Sequence, residues 1–81
     1  MTCILVIDDE KIYQKMVANA LDSYGFDLIF ADNGRQGLEM AKANHPNGII
    51  TDVKMGDIDG FELTRLLRRE VEFAKIPIIV L

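Results

Sequence analysis

Short apolar runs alternate with longer amphipathic stretches along this chain. The apolar runs predict strands at residues 3–7, 26–31, 49–52 and 78–81. Between them, apolar residues recur every three or four positions, which predicts helices at about 10–24, 34–44 and 59–71. Strands that alternate with helices in this way are typical of βαβ units. The pattern therefore predicts an α/β fold with an open parallel sheet.

Local signals mark the ends of the predicted helices. Gly25 supplies the left-handed residue that ends many helices. Either Asp32 or Asn33 can cap the second helix. Asp59 with Glu62 resembles a capping box at the start of the third helix, with Asp in place of Ser or Thr.

The same periodicity predicts which side chains fill the core. The second helix is expected to bury Leu38 and Ala41. The first helix carries an apolar stripe, and the third is expected to bury four side chains. The stripe comprises Tyr13, Met16, Val17, Ala20, Leu21 and Tyr24, and the four side chains are Phe61, Leu63, Leu66 and Leu67. Met16 is thus an expected core filler, and three further ones are Cys3, Met40 and Phe73.

Composition and charge narrow the classes of protein to consider. The 81 residues make one small domain, and 49% hydrophobic with 27% charged residues is a soluble globular composition. No run approaches the roughly 20 apolar residues of a membrane span, so no membrane partner is expected. The N-terminus lacks the features of a signal peptide, and a single cysteine forms no internal disulfide, so we expect a cytoplasmic protein.

The net charge of −4 argues against nucleic acid as a direct partner. Binding to nucleic acid depends on Lys and Arg side chains that neutralise phosphates. The one basic cluster, Arg65, Arg68 and Arg69, has the spacing of a solvated helix face. We therefore expect no direct nucleic-acid contact by this segment.

Three carboxylates follow two of the predicted strands. Asp8 and Asp9 close the first strand, and Asp52 closes the third. The carboxyl ends of parallel strands line one edge of a sheet, and ligands bind there where the strand order reverses. Carboxylates crowded together repel one another unless a cation or protons intervene, and Mg²⁺ prefers such oxygen ligands. Singly, each Asp could instead be a helix cap or a turn residue, but their joint placement favours a magnesium site.

Other candidate residues are better explained by structure than by chemistry. Asp57 and Asp59 lie before the third helix and are expected to cap it rather than bind metal. His45 ends the second helix and is expected at the surface. One His and one Cys do not make a usual zinc site, and Ser23 has no base beside it in sequence.

Four motifs together resemble the response-regulator receiver domain of two-component signalling. They are VIDDE at 6–10, ITD at 50–52, the DG pair at 59–60, with Met55 between these two motifs, and IPII at 76–79. The resemblance implies a flavodoxin-like (CheY-like) fold, whose sheet order in that family is 2-1-3-4-5. It covers residues 1–81 but about the first two thirds of the family's fold, so we expect a partial receiver domain truncated after the fourth strand.

The resemblance also implies a role for each site residue. Asp52 corresponds to the phosphoacceptor, Asp9 to a direct metal ligand and Asp8 to the residue that holds a metal-bound water. The backbone carbonyl of Lys54 corresponds to a further ligand, and Mg²⁺ is the implied cofactor. The implied partner is a histidine kinase or phosphotransfer protein, which makes the chain a signalling protein rather than an enzyme. Asp is a known nucleophile, and phosphoryl transfer depends mainly on positioning and charge neutralisation.

The chain departs from the family pattern both in residues that it carries near Asp52 and in residues of the family that its 81 positions do not include. Gly56 and Ile58 stand where the family usually has Pro and Met, and Lys54 brings a cation close to the acceptor. The family's phosphate-binding Thr or Ser and its Lys would lie beyond Leu81. We expect a fragment with an apolar, unpaired last strand to self-associate through that strand.

Two other functions remain open. One is a pseudo-receiver or structural interaction module that never turns over phosphate. The other is a magnesium-dependent phosphohydrolase, which usually has two carboxylates separated by one residue after the first strand. Asp8 and Asp9 are adjacent instead, which counts against this second alternative.

Overall fold

The computed structural model describes residues 2–81 as a four-stranded parallel sheet with three α-helices. The sheet order is β2-β1-β3-β4. The strands are β1 (Cys3–Ile7), β2 (Asp27–Ala31), β3 (Gly48–Thr51) and β4 (Ile78–Val80). The helices are α1 (Lys11–Leu21), α2 (Gly34–Asn44) and α3 (Gly60–Arg68). The predicted parallel α/β fold is confirmed.

Element ends differ from the predicted ones by a few residues. The first predicted helix ends in a separate 3-10 turn at Asp22–Tyr24, and α3 ends at Arg68, two residues before a second 3-10 turn at Val71–Phe73. Tight turns of this kind are common where helices end. Gly25 follows the first of these turns with φ 74°, as the sequence predicts for a left-handed residue. β1 and α2 have the predicted bounds.

The two central strands carry the core. Leu5 of β1 pairs in register with Ile29 of β2 and with Ile49 of β3. Leu5 and Ile49 are buried because neighbouring strands and helices surround them. Leu5 and Ile7 face one side of the sheet, and they pack there with side chains of α2, α3 and the turn after α3. Those partners are Ala41, Leu63, Leu67 and Phe73.

Strand alternation places Val6 on the opposite face of the sheet from Leu5 and Ile7. Val6 is buried but is not part of the core cluster that those two side chains form with α2 and α3. Leu21 of α1 lines a groove on this second face together with Ile4 and Ile50. α1 thus covers the side of the sheet that α2 and α3 leave free.

Five of the predicted core positions are wrong, because Tyr13, Met16, Ala20, Tyr24 and Phe61 are exposed. Phe61 is 63% exposed and Met16 is 58% exposed. In α3 the buried positions are Gly60, Leu63 and Leu67, so Phe61 lies about a quarter-turn off the buried stripe. In α1 the residue that the structure buries is Gln14, and the apolar stripe is turned partly to solvent.

The structure supports other core predictions. Leu63, Leu67, Ala41 and Phe73 are buried. Leu38 and Met40 are half-buried and pack against the core cluster. Among residues 2–81, no helix combines the length and the apolar character that crossing a membrane requires.

Candidate functional site

The backbone ladder of the sheet continues past the strand ends and brings the acidic residues together. The amide of Asp52 donates to the carbonyl of Ile7 at 3.0 Å, just beyond the β1–β3 pairing. The amide of Asp8 donates to the carbonyl of Ala31 at 3.1 Å, just beyond the β1–β2 pairing. These bonds place Asp8 and Asp52 at the same edge of the sheet, on adjacent strands.

Asp8, Asp9 and Asp52 form one cluster at this edge. One carboxylate oxygen from each side chain lies within 4.8 Å of the others. Asp8 and Asp52 are half-buried, and Asp9 is exposed. The sequence predicted that these three residues lie close together, and the structure brings them together. Such an all-oxygen donor set suits Mg²⁺, which keeps several waters and binds one or two carboxylates.

The electrostatics of the cluster are unfavourable in the absence of a cation. The pKa of Asp8 is raised above its ordinary value, first because burial removes water from its carboxylate. The backbone amide of Glu10, which donates to Asp8 Oδ1 at 3.0 Å, lowers this pKa. The negative charges of Asp52 and Asp9 raise it again. A bound cation would relieve the repulsion that these like charges cause.

The loop that follows Asp52 is held from two directions. The amide of Val53 donates to Asp52 Oδ1 at 2.9 Å and fixes that carboxylate. The amide of Gly60 donates to the carbonyl of Val53 at 2.8 Å. A Cβ on Gly60 would lie 2.4 Å from the carbonyl oxygen of Asp52. Close approach of α3 to the site therefore depends on this glycine.

Asp57 and Asp59 have structural partners, although they serve different helices. Asp59 caps α3, since its Oδ1 accepts from the amide of Glu62 at 2.7 Å. Asp57 was expected at the same helix, but it accepts from the start of α2 instead. Its two oxygens accept from the amides of Gly34 and Arg35 at 2.9 Å and 2.8 Å. Tertiary packing, rather than local spacing, selects this partner.

A groove borders the carboxylates between α1 and the carboxyl ends of β3 and β4. Its walls combine two acidic side chains, one cation and several apolar side chains. They are Asp8, Tyr13, Met16, Val17, Asp52, Val53, Lys54 and Leu81. Lys54 is exposed and lines the same groove as Asp8 and Asp52.

Gln14 is a buried polar residue near the site that the sequence pattern did not single out. It is 6% exposed, on a helix whose apolar side chains are largely exposed. Its Nε2 donates to the carbonyl of Asp8 at 2.8 Å. The only signal for Gln14 in the sequence is that it is a polar residue with apolar residues near it at helical spacing. Periodicity alone assigns such a polar side chain to the solvent-exposed side of the helix.

The remaining predicted residues lie away from the carboxylates. His45 is exposed, with Nδ1 3.0 Å from the carboxylate of Glu72. It adopts φ 49° at the end of α2, where a left-handed residue ends the helix. Arg68, expected on a solvated face, donates to the carbonyls of Phe73 and Ile76 at 2.9 Å and 2.8 Å. Its role is to tie the chain after α3 to that helix.

Comparison with known proteins gives one consistent family. A family model described as the response regulator receiver domain matches residues 4–81. Among curated proteins, the chain is 37% identical over 78 residues to the probable transcriptional regulator ycf27 of Porphyridium aerugineum. It is 30% identical over 80 residues to protein PilH of Pseudomonas aeruginosa.

These curated relatives are longer than the chain. The aligned part covers 96% of this chain and 31% of the ycf27 protein, and 99% of this chain and 66% of PilH. The chain thus spans between about a third and two thirds of the length of these relatives.

Solved structures share the fold. The chemotaxis response regulator CheY4 of Vibrio cholerae matches with a TM-score of 0.92 and 30% identity. That match covers 99% of this chain and 67% of CheY4. The receiver domain of a signal transduction histidine kinase from Syntrophus aciditrophicus matches with a TM-score of 0.93 and 28% identity, over 100% of this chain and 61% of that one.

Proposed function

This chain belongs to the response regulator receiver domain family, and from that premise we propose that Asp52 accepts a phosphoryl group in two-component signalling. The donor in this proposal is a histidine kinase or a phosphotransfer protein, and the setting is the cytoplasm. The observation that carries the proposal is the cluster of Asp8, Asp9 and Asp52 at the carboxyl edge of adjacent strands. In this role the chain is a signalling protein rather than an enzyme with turnover on other substrates.

The acidic cluster fits Mg²⁺ as the cofactor. The proposed ligands are the carboxylates of Asp9 and Asp52 and the backbone carbonyl of Lys54, with Asp8 holding a metal-bound water. Their oxygens are hard donors of the kind Mg²⁺ prefers, and three carboxylates lie together at the site. Burial raises the pKa of Asp8, and the charges of Asp52 and Asp9 raise it further. When bound, Mg²⁺ would neutralise charge on the acceptor and on the incoming phosphoryl oxygens.

The proposed step is an in-line displacement at phosphorus. A carboxylate oxygen of Asp52 forms the new O–P bond while the bond from phosphorus to the donor atom breaks, and its electron pair leaves with the donor. With a phosphohistidine donor, that pair returns to an imidazole nitrogen. The amide of Val53 holds one Asp52 oxygen at 2.9 Å, which leaves the second oxygen available to attack.

The experiment is incubation of the chain with Mg²⁺ and a small phosphodonor such as acetyl phosphate, followed by intact mass spectrometry. The proposal predicts a labile adduct of one phosphoryl group that requires Mg²⁺ and is lost in Asp52→Asn. Asp59→Asn is the matched control, because it makes the same chemical change in the same loop and Asn caps helices as well as Asp does. The control is expected to keep the adduct.

The other outcomes separate the alternatives. Release of phosphate from the donor without an adduct would favour a magnesium-dependent phosphohydrolase. An absence of both adduct and phosphate release would favour a pseudo-receiver or structural interaction module. An adduct that survives in Asp52→Asn would place the acceptor at another residue and contradict the assignment of Asp52.

A further inference from the structure

Gln14 connects the turn after β1 to the turn after β2. Its Nε2 lies 2.8 Å from the carbonyl oxygen of Asp8, 3.3 Å from that of Ala31 and 2.9 Å from Asp32 Oδ1. The side chain is 6% exposed, so water is not available to replace these bonds. One amide group of α1 therefore holds the ends of two neighbouring strands.

The bond to Asp8 is the one that bears on the acidic cluster. It fixes the backbone at the first residue of the turn that carries Asp8 and Asp9. The backbone amide of Asp8 also donates to the carbonyl of Ala31 at 3.1 Å, so Asp8 is held at both its carbonyl and its amide. Gln14 and Asp8 thus share Ala31 as an acceptor, and the turn is fixed to β2 through both.

The remaining bonds keep Gln14 itself in place. Asp32 Oδ1 accepts from Gln14 and also from Lys11 Nζ, which lies 2.6 Å away. The pKa of Asp32 is lowered, first by the hydrogen bond from Lys11 and then by the one from Gln14, so this carboxylate is a charged acceptor at neutral pH. Across residues 2–81, every buried side-chain nitrogen and oxygen has a hydrogen-bond partner, and Gln14 conforms to this rule.

We propose that Gln14 is a positioning residue for the metal-binding carboxylates, acting through the backbone of Asp8. The donation to the Asp8 carbonyl sets the direction in which the Asp8 and Asp9 side chains leave the turn. This inference rests on the proposed function, since it assigns Gln14 to the same magnesium site. Groups that orient metal ligands without touching the metal typically change metal affinity by about 10–100-fold when they are removed.

The first test is the affinity for Mg²⁺ alone, measured by isothermal titration calorimetry with MgCl₂ on the full 81-residue chain. Gln14→Leu removes the donor at similar size and is expected to weaken Mg²⁺ binding about tenfold. Gln36→Leu is the matched control. Gln36 accepts from the amide of Asp32 and so holds the turn after β2, which Gln14 also contacts, but it bonds to no residue of the acidic cluster. The control is expected to bind Mg²⁺ as the unaltered chain does.

The second test needs no metal. Amide hydrogen exchange of Asp8 and Glu10, followed by NMR, reports whether the turn is held. Gln14→Leu is expected to accelerate exchange at both amides, while the central amides of Leu5 and Ile49 report global unfolding. If Gln14→Leu does not fold by circular dichroism, Gln14→Asn retains an amide one methylene shorter. It is expected to show both effects.

The results distinguish this inference from the proposed function. If the unaltered chain binds Mg²⁺ and Gln14→Leu binds it as tightly as Gln36→Leu does, the positioning role is overturned while the magnesium site stands. If the unaltered chain binds no Mg²⁺, the proposed cofactor fails, and hydrogen exchange alone decides whether Gln14 holds the turn. Equal exchange in the two Leu variants would then overturn the role of Gln14.

Discussion

At the scale of single residues, the site depends on close backbone approach and on concentrated charge. Gly60 lets α3 begin directly against the carbonyl of Asp52, where a Cβ would lie only 2.4 Å from that oxygen. Because the neighbour is backbone rather than a flexible side chain, it cannot easily move aside. Asp8 is crowded by other carboxylates and is partly removed from water. Each residue gives a prediction.

Gly60→Ala is expected to destabilise the fold by about 1–3 kcal/mol, the usual cost of overpacking a tight contact. The measurement is the free energy of unfolding from urea titration. Gly56→Ala is the matched control in the same loop, since a Cβ there would meet nothing within 4 Å. Equal stability of the two variants would contradict the close-approach argument.

Asp8→Asn is expected to stabilise the metal-free chain at neutral pH. Because the folded pKa of Asp8 lies above its unfolded value, the native state binds more protons between the two values, and stability falls as pH rises through that window. Asn removes the charge and still accepts from the Glu10 amide. The stabilisation should be greatest above the folded pKa of Asp8 and should fade toward pH 3.8, as followed by urea unfolding without Mg²⁺. A destabilised variant at neutral pH would contradict this account.

At the scale of elements, the loop after β3 is fastened to the start of α2. Asp57 accepts from the amides of Gly34 and Arg35, and Asn33 Oδ1 accepts from the amide of Gln36 at 2.8 Å. The amide of Gly37 donates to the carbonyl of Asn33. All four amides at the start of α2 therefore have acceptors, and the negative charge of Asp57 lies where the helix dipole favours it.

Asp57→Ala is expected to cost about 1 kcal/mol of stability at neutral pH, as loss of a helix cap usually does. The pKa of Asp57 is lowered, first by the amide of Arg35, so its stabilisation is present above its ordinary pKa of 3.8 and is lost as pH falls through the folded pKa. The difference from the unaltered chain should therefore shrink in acid. Asp57→Asn, which keeps one acceptor oxygen, should lose less in urea unfolding at neutral pH. A difference independent of pH would contradict the role of the charge.

At the scale of the whole molecule, the two faces of the sheet are unequally covered. The face under α2 and α3 holds the core cluster, whereas the face under α1 exposes apolar side chains near β4. Met16 is 58% exposed, Ile79 51% and Leu81 64%. Within residues 2–81, β4 pairs with β3 alone. Contiguous apolar surface beside an unpaired strand edge favours association with another chain.

We therefore expect the 81-residue chain to self-associate as its concentration rises. Analytical ultracentrifugation should show a concentration-dependent increase in mass. Ile79→Lys places a charge on the exposed apolar face and should shift the equilibrium toward monomer. Val71→Lys is the control, since Val71 is 94% exposed and lies outside β4. A monomer at all concentrations, with a cooperative thermal transition, would contradict this expectation.

The fold and the acidic cluster were predictable from the sequence because they depend on short-range patterns. Apolar runs that end in Asp mark strand ends, and parallel pairing brings adjacent strand ends to one edge. The amphipathic periodicity located all three helices. It failed at Phe61 and along much of the apolar stripe of the first helix, since apolar spacing shows that a helix has a buried stripe without showing how wide that stripe is.

What the sequence by itself determined is the order of elements, the parallel sheet and the acidic residues at the ends of β1 and β3. What only the tertiary structure decided is which distant groups hold them: Gln14 at the carbonyl of Asp8, Asp57 at the start of α2, and Gly60 against Asp52. The physical reason is range. Propensity and periodicity act between near neighbours in the chain, whereas these contacts form between residues that only packing brings together.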